Sequence, residues 1–248
     1  MIDTHAHLDA CTDDADALVA RARAAGVRRI IAVGSGIDSC RATLAIAQRH
    51  EGVYGALGIH PHQAGGPDAE RLDELCELLA DDRAVAAGET GLDFFRDYAA
   101  RDSQRRLFRE QLALAGELGL PVVVHSRAAD EETADALADF GGTVVMHCFS
   151  SPRLLAPALE RGYYVSFAGN VTFPNATELR LAATEIPDDR ILVETDAPYL
   201  APQPVRGRPN EPAHVVHTID ALARVRGEEV DAFAARVDAN ATAAFALP

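Results

Sequence analysis

The chain lacks lysine: in 248 residues, all 23 basic side chains are arginine, against 38 acidic ones. This absence excludes mechanisms that need an amine side chain, among them Schiff-base chemistry, the phosphate-loop nucleotide site and a carboxylated-lysine bridge between metal ions. Positive charge is scarce as well, because the formal net charge is −15. A protein that binds polyanions over a broad surface usually has a basic footprint, so the composition disfavours that class of protein.

Paired cysteines and long apolar runs are also missing. The four cysteines are scattered with no C-x-x-C spacing, which favours free buried thiols over a disulfide framework or a zinc knuckle. No stretch approaches the ~18–20 apolar residues of a membrane span, and the start of the chain shows no basic segment followed by an apolar run. We therefore expect a cytoplasmic protein that makes no membrane contact.

Short runs rich in Val and Ile recur along the chain, and most are followed by a longer stretch with helical periodicity. Strands are predicted at Ile2–His7, Arg29–Gly34, Val53–Ile59, Ala84–Glu89, Pro121–His125, Thr143–His147, Tyr163–Phe167 and Ile191–Thr195. Helices are predicted at Asp14–Ala25, Asp38–Arg49, Ala69–Ala80, Ser103–Leu118, Asp130–Phe140, Glu178–Glu185, and near 211–226 and 227–246.

Eight strands alternating with helices in about 250 residues predict a (β/α)8 TIM barrel, as a single domain over residues 1–248. A doubly wound open sheet is the main alternative, but it more often has fewer strands and a glycine-rich first turn. Gly34-Ser35-Gly36 lacks the third glycine of the dinucleotide fingerprint, so a dinucleotide site there is weakly indicated.

Histidines and carboxylates occur where the predicted strands end. His5 and His7, two apart on the first strand, point to the same face. The other positions are His60 and His62 after the third strand, Glu89 ending the fourth, His125 the fifth, His147 the sixth, and Asp196 after the eighth. In a (β/α)8 barrel the carboxyl ends of the strands form the active site, so these side chains are expected to converge.

Imidazoles and carboxylates in one cavity indicate a divalent cation, with Zn, Mn, Fe or Ni better matched than Mg. Six candidate ligands exceed the needs of one tetrahedral ion, which favours two ions that share a bridging carboxylate and activate a water for hydrolysis. Taken singly, His125 and His147 are more often structural histidines. Their coincidence with the other strand-end groups favours the metal hypothesis.

Other polar residues have plainer interpretations. His50 closes a predicted helix and is expected either at the surface or facing the helix dipole. His214 and His217, three apart on another predicted helix, are expected on its solvated face. Asp3 and Asp9 continue the face of the first strand. One of them could orient an imidazole, with hydrogen bonding inside the barrel as the equal alternative.

Seven blocks of sequence surround these residues: 5–9 (HAHLD), 58–62 (GIHPH), 88–93 (GETGLD), 121–127 (PVVVHSR), 147–150 (HCFS), 194–200 (ETDAPYL) and 206–212 (RGRPNEP). They resemble the signatures of the TatD-family metal-dependent deoxyribonucleases, and the Asn240-Ala241-Thr242 stretch resembles the family's last helix. The resemblance implies a TIM barrel of the amidohydrolase superfamily. The family uses a glutamate where many relatives use a carboxylated lysine, which suits a chain without lysine.

By matching position, the resemblance implies a ligand set for two divalent ions (Mg, Mn or Zn). One ion would be held by His5, His7, Glu89 and Asp196, and the second by Glu89, His125 and His147. Glu89 would then bridge the two ions. Asp196 would orient the attacking water and take its proton.

Substrate-binding residues follow in the same way. His62, together with His60, would contact the scissile phosphate, while Arg127 and Arg206 would hold flanking phosphates as bidentate forks. For Arg127 an ion pair with a loop carboxylate is the alternative. Two departures from the family pattern, Ser151 and Ala128-Ala129, touch no ligand and affect loop shape.

The preferred function is a monomeric metal-dependent phosphodiesterase that acts on DNA, trimming single strands or ends from the 3′ side. The alternatives are hydrolysis of a small ester, amide or lactone, and a metal-binding barrel that has lost activity, although no ligand or proton acceptor is missing. Locally the charge differs from the net value, since residues 96–109 contain five Arg and two Asp. An acidic body with a cationic mouth would hold a strand end briefly.

Overall fold

Eight parallel strands form a nearly closed barrel in the order of the chain. In the computed structural model, which covers residues 1–248, they are β1 (Ile2–Ala6), β2 (Arg29–Gly34), β3 (Val53–Leu57), β4 (Ala84–Asp93), β5 (Val122–Arg127), β6 (Val144–Met146), β7 (Tyr164–Phe167) and β8 (Ile191–Val193). A parallel bridge between Ala6 and Ala197 joins the end of β1 to the segment that follows β8. The predicted (β/α)8 barrel is confirmed, and the open sheet is excluded.

Helices alternate with the strands and surround the barrel. They are α1 (Ala15–Ala24), α2 (Ile37–Arg49), α3 (Leu72–Leu79), α4 (Arg101–Leu118), α5 (Asp130–Ala136), α6 (Leu155–Glu160), α7 (Thr177–Glu185), α8 (Val215–Arg226) and α9 (Val230–Ala244). Asp14 caps α1 by accepting from the Ala17 backbone N–H at 2.9 Å. Gly119 ends α4 with φ +68°, a left-handed conformation that favours glycine.

Several elements differ from their predicted bounds by up to four residues, and one helix was not predicted. Strand β4 continues to Asp93 instead of ending at Glu89, because pairing with β5 extends to Asp93 opposite Arg127. Helix α5 ends at Ala136 instead of Phe140. Helix α6 was not predicted: it is one and a half turns long and contains Pro157, so it has no readable helical period.

The strands separate two apolar cores. The larger core fills the space between the barrel and its helices. The smaller one fills the N-terminal half of the barrel interior, where Ile31 and Val33 of β2 pack with Phe245 and Leu247 from the end of the chain. The barrel is therefore closed at its base and open only at the mouth, the end where the strands' carboxyl termini lie.

Candidate metal centre at the barrel mouth

His5 and His7 lie inside the mouth, one on β1 and the other just after it. Their Nε2 atoms are 3.2 Å apart, and neither side chain is more than slightly exposed. The backbone after β1 is joined to the segment after β8, since Asp196 N donates to His5 O at 2.9 Å and His7 N donates to Ala197 O at 2.7 Å. This pairing brings Asp196 to the two imidazoles, with its Oδ1 at 3.8 and 3.6 Å from their Nε2 atoms.

The Glu89 carboxylate lies between two groups of imidazoles. Its Oε2 is 3.6 Å from His5 Nε2 and 3.5 Å from His7 Nε2. Its Oε1 is 2.8 Å from His125 Nδ1 and 3.3 Å from His147 Nε2. Each oxygen of one buried carboxylate therefore faces a different donor set.

Two glycines allow β4 to bring Glu89 to this position. Gly88 has φ +140° and Gly91 has φ +137°, a region in which L side chains are strained. A Cβ at Gly91 would also lie 2.0 Å from the carbonyl oxygen of His125. Close contact between β4 and β5 therefore requires glycine next to the site.

The spacing of these atoms fits bound cations. Two ligands of one Zn-like ion, each about 2.0–2.2 Å from it, lie roughly 3.0–3.5 Å apart. The His5 and His7 nitrogens are 3.2 Å apart, and Glu89 Oε2 is 3.5 Å from His7, whereas good N–H···O hydrogen bonds are about 2.7–3.2 Å long. Groups that include His5, His7 and Glu89, or His60, Glu89 and His125, have ligand atoms within 4.8 Å of one another.

The protonation states point the same way. Burial lowers the pKa of His5 to about 3, so this imidazole is neutral and has a free lone pair. Burial would raise the pKa of Glu89, but the imidazoles of His60 and His147 hold it well below its usual range. Glu89 is thus an anion surrounded by nitrogen ligands.

The pKa shifts of three other imidazoles indicate an excess of buried negative charge at the centre. Burial opposes a positive charge on His7, His125 and His147, yet the facing carboxylates raise the pKa of each. A buried charge is stable only when it is paired or coordinates a metal. Divalent cations at this position would supply the missing positive charge.

Two carboxylates that the sequence analysis did not single out complete the centre. Asp93 Oδ2 is 2.9 Å from His62 Nε2 and 3.2 Å from His125 Nε2, and its other oxygen accepts from the backbone N–H of Phe95 and Arg96. Burial would raise the pKa of Asp93, but these hydrogen bonds lower it. The position of Asp93 on the same strand as Glu89, four residues later, was the available signal.

Glu194 is the second such carboxylate. Its Oε1 lies 2.8 Å from His147 Nδ1 and accepts from the Cys148 backbone N–H at 2.8 Å. A carboxylate at the second nitrogen of a ligand histidine fixes the orientation of the ring. Glu194 is two residues before Asp196, so strand alternation was its sequence signal.

Asp3 and Asp9 do not contact an imidazole side chain. Asp3 is fully buried and accepts from Thr195 N at 2.9 Å and from the Thr195 hydroxyl, which ties β1 to the segment after β8. Asp9 accepts from the Ser39 hydroxyl at 2.6 Å. Of the two alternatives considered from the sequence, hydrogen bonding within the barrel describes Asp3.

Two buried glutamines on α4 hold the segments after β3 and along β4 in place. Gln111 accepts from Ile59 N at 2.8 Å and donates to Ile59 O and the Thr90 hydroxyl. Gln104 accepts from Asp93 N at 2.9 Å and donates to Asp93 O. Their contacts set the positions of His60 and Asp93 beside Glu89.

The expected substrate-binding residues are only partly brought together. His60, His62 and Arg127 line the mouth cavity, which has a volume of about 730 Å³. Arg127 makes no ion pair, and its guanidinium lies 4.0 Å from the centroid of the Phe95 ring. Arg206 is not among the lining residues, since its guanidinium lies over Phe173 at 4.1 Å.

The departures and the peripheral histidines have local roles. Ser151 donates to Asp130 Oδ2 at 2.5 Å, which links the loop after β6 to the start of α5. Ala128 has φ +53°, an uncommon conformation for alanine. His50 Nε2 is 2.9 Å from Asp16 Oδ1, away from the centre. His214 Nδ1 is 3.1 Å from Asn210 Oδ1.

A parallel barrel with a mixed imidazole and carboxylate centre at its mouth is the arrangement of metal-dependent hydrolases. The family model described as TatD related DNase matches residues 2–246. The chain belongs to this family and is a metal-dependent hydrolase that acts on ester bonds.

Individual relatives agree with this assignment. A Mycobacterium tuberculosis protein named uncharacterized metal-dependent hydrolase TatD is 40% identical over 260 residues, with 100% of this chain and 98% of that protein covered. A Cronobacter sakazakii protein named 3′-5′ ssDNA/RNA exonuclease TatD is 38% identical over 241 residues, covering 94% and 92%. The crystal structure of the TatD homologue YjjV from Escherichia coli has a TM-score of 0.93 and 32% identity, covering 100% of this chain and 98% of that one.

None of the helices combines the length and apolar character that crossing a membrane would require.

Proposed function

We propose that the protein is a phosphodiesterase that shortens single-stranded DNA from its 3′ end at a centre for two divalent ions. The name of the Cronobacter sakazakii relative, an exonuclease on ssDNA and RNA, supports this substrate class. The observation that carries the proposal is the division of the Glu89 carboxylate between two sets of imidazoles. A carboxylate shared in this way is what a bridged pair of ions requires.

The ligand assignment follows the two oxygens of Glu89. His5, His7 and Asp196 would hold one ion with Oε2, while His125 and His147 would hold the other with Oε1. The chemistry suits Mg, Mn or Zn, with the nitrogen ligands favouring Mn and Zn. Glu194 would fix the His147 ring, and Asp93 the His125 ring, for this task.

When bound, the ions would supply a water that is acidic enough to react at neutral pH and would stabilise charge on the phosphate. Asp196 accepts the proton of the attacking water at a carboxylate oxygen, since it is ionisable, lies at the cavity wall and is only 9% exposed. Asp196 would therefore serve both as a ligand of the first ion, beside His5 and His7, and as the base.

His60 is suited to donate a hydrogen bond to a phosphate oxygen. Its Nδ1 accepts from the His62 backbone N–H at 3.1 Å, which assigns the proton of the neutral ring to Nε2. That Nε2 faces the centre, 3.5 Å from Glu89 Oε1. Burial lowers the pKa of His60, so the ring is a neutral donor. His62 and Arg127 line the same cavity and would hold the flanking part of the substrate.

The test uses a 5′-labelled single strand of DNA with Mg, Mn or Zn. We expect a ladder of products shortened from the 3′ end, abolished by a chelator and reduced at least about a hundredfold in His125→Ala. His50→Ala is the matched control, because His50 is a histidine bonded to Asp16 away from the centre, and we expect it to cleave like the wild type.

Two results would overturn the proposal. One is an intact strand with every metal, and the other is equal cleavage by His125→Ala and the wild type. An intact strand together with metal-dependent hydrolysis of a small ester or lactone would favour the alternative substrate class.

A further inference from the structure

The strongly exposed aromatic side chains of the protein all lie at the barrel mouth. Phe95 is 60% exposed, Tyr98 65% and Tyr199 56%, whereas every other aromatic residue is buried or partly buried. Aromatic rings usually contribute to the core, and exposed ones that cluster at one place mark a binding surface. We call these three residues the aromatic rim.

The rim lies on both sides of the metal centre. Tyr98 follows β4 and Tyr199 follows β8, and strands four apart in an eight-stranded barrel stand opposite each other. The Tyr98 ring is 4.7 Å from the His62 ring, and the Tyr199 ring is 5.9 Å from the His7 ring, both in edge-to-face contact. Both tyrosines also line the mouth cavity. A substrate at the centre therefore has an aromatic ring on each side.

Unpaired guanidinium groups accompany the rim. Arg127 lies 4.0 Å and Arg96 5.5 Å from the centroid of Phe95, and neither has a carboxylate within ion-pair distance. Arg105, on the neighbouring helix, is by contrast bound to Glu132. Arg96 and Arg127 also line the cavity, so cationic groups free to bind phosphate stand next to the rings.

We infer that Tyr98 and Tyr199 are base-stacking subsites, one on each side of the scissile phosphate, for the last unpaired nucleotides of a single strand. Phe95 with Arg127 forms an outer platform for the next nucleotide. The inference rests on the proposed function only in that it places the scissile phosphate at the metal centre.

The chemistry of the ligand follows from the rim. Every base has an aromatic face, so stacking accepts any sequence. A base in a duplex must leave its stack and its pair before it can lie on a tyrosine ring, which selects unpaired ends. With a net charge of −15, the protein gains little from broad phosphate contacts, and stacking therefore supplies much of the affinity.

The experiment compares two single strands that differ only in their last two 3′ residues, which carry bases in one strand and are abasic in the other. Both have phosphorothioate linkages at that end and a 5′ fluorophore. Binding is measured by anisotropy in the presence of Mg, which binds sulfur poorly, so that the strand stays intact. Cleavage is followed separately on the same pair of strands with ordinary linkages.

We expect the wild type to bind the strand with bases about tenfold more tightly than the abasic strand. Tyr98→Leu and Tyr199→Leu, at exposed positions on opposite sides, should each reduce this ratio to about threefold or less. Tyr98→Phe keeps the ring and should retain the ratio, as should Leu181→Ala, a control at an exposed apolar residue on α7.

Equal binding of the two strands by the wild type, or an unchanged ratio in both Tyr→Leu variants, would overturn the inference. If the ordinary strand is nevertheless shortened, the proposed function stands without the stacking subsites. A ratio that collapses in the leucine variants supports the inference even if no strand is cleaved, and in that case the proposed function is what fails.

Discussion

The barrel interior has two layers of opposite character, one directly above the other. On β5 the inward residues are Val123 and then His125, and along β6 and the residue after it they are Val145 and then His147. Each change takes two residues, or about 6.6 Å along a strand. The same strands thus supply an apolar base and a charged mouth.

The two layers serve different purposes. The base buries Ile2, Phe245 and Leu247 with the inward apolar side chains of the strands, which stabilises the fold. The mouth buries carboxylates and imidazoles and contains strained residues, with φ +55° at Asp196 and +45° at Cys148. Strain and buried charge cost stability and persist where function requires them. We therefore expect substitutions in the mouth to change activity and substitutions in the base to change stability.

Glu89→Gln gives the largest expected effect and tests the mouth. The amide keeps the shape of the side chain but loses the charge that both ligand sets share. Because replacing even an outer partner of a ligand costs about 10–100-fold, we expect a loss of about a thousandfold in kcat on single-stranded DNA. Steady-state cleavage with Mn measures it. A loss of less than tenfold would contradict the central position of Glu89.

Phe245→Ala tests the base. This side chain is 2% exposed, and its removal leaves a cavity, so the free energy of unfolding should fall by about 3–5 kcal/mol. Urea denaturation measures this loss, and Phe245→Leu, which keeps most of the apolar volume, should lose less. The folded variant should cleave DNA within about twofold of the wild type, because distant sites act independently. A large loss of activity in the fully folded variant would contradict the expectation that substitutions in the base change stability and not activity.

Asp93→Asn tests whether Asp93, which contacts His62 and His125, contributes to the metal centre. Asn keeps the size of the side chain but is a weaker partner for the His62 and His125 rings, so we expect activity to fall about 10–100-fold. Asp97→Asn, in the exposed loop after β4, is the matched control and should change nothing. Titration with Mn should show a weaker metal affinity for the first variant only. Equal activity and equal Mn affinity of the two variants would show that Asp93 contributes to neither metal binding nor catalysis.

The smallest expected effect concerns salt. If Arg96 and Arg127 make the main phosphate contacts, log K for a single strand should fall with log salt at a slope of about −1.4, or −0.7 per contact. Arg127→Ala should make the slope shallower by about 0.7. Anisotropy titrations between low and moderate NaCl measure it. A wild-type slope steeper than about −4 would indicate a broad basic surface instead.

Much of this architecture was predictable because the strands are short, apolar and separated by helical periods. The hydrophobic pattern contains eight candidate strands that alternate with helices, and this number predicts a (β/α)8 barrel. Helix α6 escaped because Pro157 interrupts a segment too short to show a period. Strand β4 continues past its predicted end at Glu89 because it pairs with β5 as far as Asp93. Gly91, which in a sequence is typical of a turn, allows this close packing on β5.

The candidate site, like the fold, was only partly predictable from the sequence. Strand-end positions predicted that His5, Glu89 and His147 would converge, and the structure brings these side chains together. Asp93 and Glu194 were not recognised, since a carboxylate's burial next to a particular imidazole depends on tertiary packing. Arg206 lies over Phe173, outside the mouth cavity. Its position was not predictable, because the path of the loop after β8 depends on tertiary contacts that the sequence pattern does not show. Its role in phosphate binding stays a prediction.

The most direct test of the two-ion centre is a count of the ions that each chain binds. Native mass spectrometry of protein reconstituted with Mn or Zn should find about two ions per chain in the wild type. His147→Ala removes a ligand of only one ion and should bind about one. A wild type that binds no more than one ion, or a His147→Ala variant that still binds two, would contradict the account.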